Sequence, residues 1–114
     1  MDISPEAKEK VTQLQLIEQN LHTFLTQKQT FQSQVLEIEN ALKELESATG
    51  QVYRLAGSVM IESEKGKLSK DLLERKDVLD LRIKSIEKQE NHIKEKAEKL
   101  QKEVMEELDK KAKK

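Results

Sequence analysis

The chain has 114 residues and a formal net charge of −1, with 38% charged, 35% hydrophobic and 3% aromatic residues. Such a near-neutral chain is no general electrostatic match for nucleic acid or an anionic membrane, and its lack of Cys excludes disulfides and thiolate metal sites. So polar a composition belongs either to a disordered segment or to long helices and coiled coil; only three Gly and one Pro, with regularly spaced apolar residues, favour the helices.

In chain order, Met1-Asp2-Ile3-Ser4-Pro5-Glu6 lacks the basic-then-apolar order of a signal peptide. No apolar run nears the roughly 20 residues that span a bilayer. A soluble, cytoplasmic protein is the expectation. Ser4 is placed to cap a first helix, Pro5 fits its first position, and Glu6 complements the helix dipole. No further Gly or Pro occurs before Gly50, so the first helix is expected over about 5–49. Within it Ala7, Leu14, Leu21, Lys28, Val35 and Leu42 occupy one heptad position. Ile17, Phe24, Phe31, Ile38 and Leu45 occupy the other. Alternating steps of three and four keep one apolar seam facing a partner helix, with Lys28 as the charged intrusion. Gly50 suits a left-handed cap.

The middle differs in kind. Val52-Tyr53-Arg54-Leu55 and Val59-Met60-Ile61 flank Ala56-Gly57-Ser58. This pattern predicts a β-hairpin within about 51–63, closed by a three-residue turn in which Gly57 supplies the positive φ. Val59-Met60-Ile61 is apolar without alternation, as in a strand covered on both faces. A lone two-stranded hairpin is marginal in water, and its open edges invite strands from other chains. Val52, Tyr53, Leu55, Gly57, Val59, Met60 and Ile61 are therefore the candidate oligomerisation residues. The competing reading is a plain connector of a helical hairpin, but such connectors commonly run only about 2–8 residues.

A second helix is expected over about 69–110, with Ser69 as the candidate cap after Gly66. Leu72 stands where a capping box would place Glu or Gln. Its seam holds Leu72, Leu79, Ile86, Ile93 and Leu100 at one position and Ile83, Ala97 and Val104 at the other, interrupted by Lys76 and Glu90. Val104, Met105 and Leu108 then mark a register shift, and the tail 109–114 is expected to fray. Each arm would make roughly 60 Å of helix, and equal lengths imply an antiparallel pair with both termini at one tip. Residues 1–57 carry five basic and eight acidic side chains and residues 58–114 sixteen and fourteen, −3 against +2, a small bias in favour of pairing. Between Val11 and Leu36 only Glu18 and Lys28 are charged and seven Gln dominate, whereas the second arm alternates Lys and Glu. Both patterns read as solvated helix surface.

Val52-Tyr53-Arg54 with Gly57 and Val59-Met60-Ile61 resembles the hairpin motif of beta-type prefoldin subunits. Leu79 with Leu81-Arg82-Ile83-Lys84-Ser85-Ile86-Glu87-Lys88-Gln89-Glu90 resembles the segment that opens their second helix. The resemblance covers about Gln27 to Leu100, and length and element order agree. It implies a mainly α fold: a long antiparallel two-helix coiled coil with one central β-hairpin that joins an intersubunit β-barrel. It also implies assembly with an alpha-type prefoldin subunit as a hexamer of two alpha and four beta chains. Unfolded client proteins are then held at the coiled-coil tips and passed to a group II chaperonin, without ATP or another cofactor. The absence of long polar tails is closer to archaeal complexes than to eukaryotic ones.

A tip that grips unfolded chains needs adaptable apolar surface. The candidates are Val11, Leu14, Leu16 and Ile17 on the first arm, with Val104, Met105 and Leu108 on the second. Val11 and Leu16 lie off the seam, and Met105 is flexible and polarizable. For Leu14, Ile17 and Val104 simple packing across the seam competes with client contact. Leu25 and Leu36, also off the seam, are weaker candidates for lining an assembled cavity. An enzyme finds little support. His22 and His92 sit on separate arms outside any ligand or nucleophile motif, and the three Gly are isolated, so no phosphate loop exists. A basic-region zipper lacks its basic cluster. An architectural or tethering coiled coil would explain the seams but not the strand-like middle.

Overall fold

A computed structural model describes residues 4–112, with side chains described through Lys110. The order of elements is α1 (Pro5–Ser47), β1 (Val52–Ala56), β2 (Val59–Ser63) and α2 (Lys65–Ala112). The fold is mainly helical with one antiparallel hairpin between two long helices. Residues 1–3 of the expected leaderless start, and Lys113 and Lys114 of the tail expected to fray, lie outside the described residues. Helix α2 runs through Ala112, so the described part of the tail is helical.

The start of α1 is built as its sequence predicts. The amide of Ala7 donates to Ser4 Oγ at 3.1 Å, and the amide of Lys8 donates to the Ser4 carbonyl at 3.0 Å. Two of the otherwise orphaned amide groups are thereby satisfied. Mid-helix threonines do not break the helix because their hydroxyls turn back onto it. Thr12 and Thr23 donate to the carbonyls of Lys8 and Gln19, four residues earlier. At the far end Lys65 Nζ donates to the carbonyls of Glu46 at 3.0 Å and Ala48 at 3.4 Å, covering the negative end of the helix with a cation. Gly50 has φ +95°, the left-handed conformation expected of it, but it stands three positions beyond Ser47 rather than directly on the helix end.

Two boundaries differ from the sequence expectation. Helix α2 starts at Lys65, not near Ser69. The Leu68 amide donates to the Glu64 carbonyl at 2.9 Å, so Glu64 occupies the cap position and Ser69 lies inside the helix. Gly66 has no positive φ; it sits in the first turn as an ordinary helical residue instead of breaking the chain. The hairpin turn is also shorter than expected. Ala56 pairs with Val59, which leaves only Gly57-Ser58 as the loop. Gly57 has φ +63° and, among the described residues, no non-Gly residue has positive φ, the pattern of a type II′ turn whose twist suits a hairpin.

The chain divides into two compact units, one from Met1–Gln27 with Ser85–Lys114 and the other Lys28–Lys84. In the first, Ala7, Ile17, Ile86 and Val104 are buried, and so is the Glu90 side chain. The helical segments run antiparallel, as partners show: Ser4 Oγ donates to the Glu107 carboxylate, and Lys10 pairs with Glu103 at 3.2 Å. In the second unit Ile38 and Leu79 are buried. Lys76 pairs with Glu39 at 3.4 Å, and the Arg82 guanidinium lies 5.8 Å from the centre of the Phe31 ring, a cation–π distance. The remaining heptad residues of both helices are half-buried, Lys28 and Lys76 included. No large side chain among the described residues is completely sealed. This is the burial expected where a helix has a single apolar stripe covered by one partner.

Candidate functional sites: an uncovered hairpin and the paired helix ends

The hairpin is held in register from Val52 opposite Ser63 to Ala56 opposite Val59. Side chains alternate between the two faces of a strand and cross-strand pairs share a face. Tyr53, Leu55, Met60 and Glu62 therefore lie on one face, with Val52, Arg54, Ala56, Val59, Ile61 and Ser63 on the other. Both faces carry large apolar groups, and almost all of them are open. Tyr53 is 51% exposed, Leu55 70%, Val59 59%, Met60 68% and Ile61 43%; Val52 is half-buried. Among the described residues the sheet has only these two strands, so each keeps one unpaired edge. A run of five such residues on a lone hairpin is far outside the scattered exposure of ordinary surfaces. Open edges of this kind are templates for strands from another chain.

The tip candidates all fall in the first unit, where the N-terminal turns of α1 meet the C-terminal turns of α2. Leu14, Ile17, Val104 and Leu108 are buried or half-buried. Leu16 and Met105 point outward, 55% and 60% exposed, as expected for Leu16 from its place off the seam. Val11, expected to be open for the same reason, is half-buried. Leu25 and Leu36 are exposed. Sequence reasoning missed three further exposed apolar residues on α2, namely Leu73, Val78 and Leu81. Each stands off the two heptad positions, and that placement was the signal available.

His22 and His92 are both exposed, and among the described residues no group of three or more His, Cys, Asp or Glu side chains gathers to hold a metal ion. No helix among the described residues is long and apolar enough to cross a membrane.

A helix–hairpin–helix chain whose sheet is unfinished and uncovered on both faces belongs to the class of assembly subunits rather than to self-contained domains. The sequence pattern of the family described as "Prefoldin subunit" matches residues 8–111, and the chain belongs to that family of chaperone subunits. Among its relatives is the prefoldin subunit beta of Methanospirillum hungatei JF-1, 34% identical over 110 residues that cover 95% of this chain and 92% of that protein. Another is the prefoldin subunit beta of Sulfurisphaera tokodaii, 34% identical over 106 residues covering 91% and 85%. The crystal structure of the prefoldin beta subunit from Thermococcus strain KS-1 matches with a TM-score of 0.86 at 29% identity, over 92% of this chain and 94% of that one. The hairpin and helix motifs singled out in the sequence thus mark beta-type subunits, as the resemblance implied.

Proposed function

We propose that this chain is the beta-type subunit of an ATP-independent holdase. Its hairpin completes an intersubunit β-barrel with alpha-type prefoldin chains, in a hexamer of two alpha and four beta subunits. Unfolded polypeptides are gripped at the helix tips and passed to a group II chaperonin in the cytoplasm. The observation that carries this reading is the hairpin, with five large apolar side chains exposed over two faces and both edges unpaired. Burying such a surface between chains supplies the main driving force of association, while strand addition satisfies the open backbone groups.

In the first unit, Leu16 and Met105 offer exposed apolar contact to a client, and Val11 is half-buried. Contacts of this kind are individually weak and tolerant of sequence. Several tips acting on one client raise the effective concentration and make the grip firm without a tight site on any subunit. Competition by a chaperonin for the same apolar client surface then permits stepwise release. No reaction is catalysed and no cofactor takes part.

The test is light scattering from a denatured client diluted into buffer without nucleotide, with and without this chain assembled with an alpha-type partner. Suppressed aggregation at near-stoichiometric complex is the expected result. Unchanged aggregation by a properly assembled complex would overturn the holdase reading in favour of an architectural coiled coil.

A further inference from the structure

The two sides of the helix pair in the first unit differ in charge. Which heptad places share a side is visible in the second unit. There Gln34, Arg75 and Arg82, each one residue ahead of a seam residue, line one cleft with Glu37 and Val78, each one turn further along its helix. The equivalent places in the first unit, over 13–27 and 85–99, are Gln13, Leu16, Asn20, Thr23 and Gln27 on α1. On α2 they are Ser85, Gln89, His92, Lys96 and Lys99. All are exposed. This side therefore carries two lysines and no carboxylate, +2, while the opposite side of the same stretch carries Glu18, Glu87 and Glu98 against Lys94, −2. The outer ridge of α2 adds Lys88 and Glu95, which cancel. Nearer the helix end, Glu103 is taken by Lys10 at 3.2 Å. Equal steps inward from that pair along the two helices place Leu16 level with Ala97, so Leu16, 55% exposed, stands at the height of Lys96 and Lys99 on their side. Neither lysine makes an ion pair with a carboxylate of the described chain. Leu25, 42% exposed, occupies the acidic side.

We propose that the basic side of this unit selects, among unfolded polypeptides, segments in which carboxylates flank an apolar side chain. The apolar group lies on Leu16 and the carboxylates on Lys96 and Lys99. The inference rests on the holdase reading above and adds to it a preference for one class of client sequence. With a formal net charge of −1 the chain as a whole does not attract acidic polypeptides. The preference comes from the local pair of cations, felt over roughly 8 Å at physiological ionic strength. The lysine stems add apolar surface beside Leu16 and leave their ammonium groups in water. Gln13 and Asn20 bring amides that both donate and accept, so they can meet the backbone of an extended client without neutralising the lysines. A client rich in lysine meets like charge here and is disfavoured. One exposed ion pair contributes only a small factor, which keeps the site tolerant of sequence, and repetition over several subunits turns that factor into a measurable preference.

Fluorescence anisotropy with three labelled, unfolded peptides tests this. They share one spacing of leucines and differ only in carrying Glu, Gln or Lys between them. Each is titrated with the full chain assembled with an alpha-type partner, at low and high salt. The Glu peptide is expected to bind about threefold or more tighter than the Gln peptide, and the Lys peptide weakest. Added salt narrows the differences. Lys96→Glu with Lys99→Glu inverts the order of the Glu and Lys peptides, whereas Lys94→Glu, on the opposite side, leaves it as it was. Leu16→Ser weakens all three peptides and keeps their order. Circular dichroism and native mass spectrometry verify that each variant folds and assembles. Equal binding of the three peptides by the wild-type complex, or an order that survives the charge reversal, overturns the inference while the holdase reading stands. A wild-type complex that binds none of the peptides brings down both.

Discussion

Leu79 and Leu81 are the same residue type two positions apart on α2, yet one is 5% exposed and the other 66%. Replacing either by Ala removes three carbon atoms. At about 0.8 kcal/mol per buried methylene, Leu79→Ala loses roughly 2.4 kcal/mol of transfer free energy. The cavity penalty seen in closed cores is expected to stay small here. Leu79 lines an open cleft, so water and the neighbouring Ile38 can close over the gap. For Leu81 only about a third of that transfer term applies, roughly 0.8 kcal/mol, and the better helix propensity of Ala offsets a few tenths. The expected costs are therefore about 2 kcal/mol against about 0.5 kcal/mol. Urea denaturation followed by circular dichroism, at a concentration too low for self-association, measures both in one experiment. Equal losses for the two variants would refute the assignment of Leu79 to the seam, and with it the register of the helix pair in the second unit.

Ser4→Ala removes the acceptor for the Ala7 amide and is expected to cost about 1 kcal/mol; hydrogen exchange should speed up in the first turn of α1 and stay unchanged near Ser47. Gly57 has open space where a Cβ would stand but a φ of +63°, so strain comes from the backbone alone. Gly57→Val is expected to destabilise the hairpin by roughly 1–2 kcal/mol, and Gly57→Asn by less because Asn tolerates that region; assembly with an alpha-type partner, read by native mass spectrometry, should follow the same order. Replacing Val11, Leu16 and Met105 together by Ser should weaken client holding several-fold while leaving assembly intact. Unchanged holding by that triple variant would remove these residues from the client site.

The seams were legible because burial in a helix pair depends on a period, and the period is written in the chain. Every heptad residue read from the sequence, including the discordant Lys28, Lys76 and Glu90, is buried or half-buried. Long side chains make this possible. A lysine can lay its methylenes along the seam and carry its charge to the rim, as Lys76 does toward Glu39. Boundaries were less legible where glycine was involved. Gly66 resembles a break, yet a glycine in a first helical turn costs only about 1 kcal/mol relative to Ala, which the hydrogen bonds of four further residues outweigh. The three-residue turn failed because cross-strand register, not composition, decides whether Ala56 ends a strand or begins a loop.

What no periodicity could reveal is convergence between elements. Arg54 sits on a strand, and Arg75 and Arg82 sit about 10 Å apart along a helix at 1.5 Å per residue. Only the packing of β1 beside α2 makes them walls of adjoining clefts. The exposed apolar hairpin is costly to leave as it stands in an isolated chain, whereas the exposed arginines are solvated there. Apolar surface of that extent favours association without direction, so it cannot by itself choose an orientation.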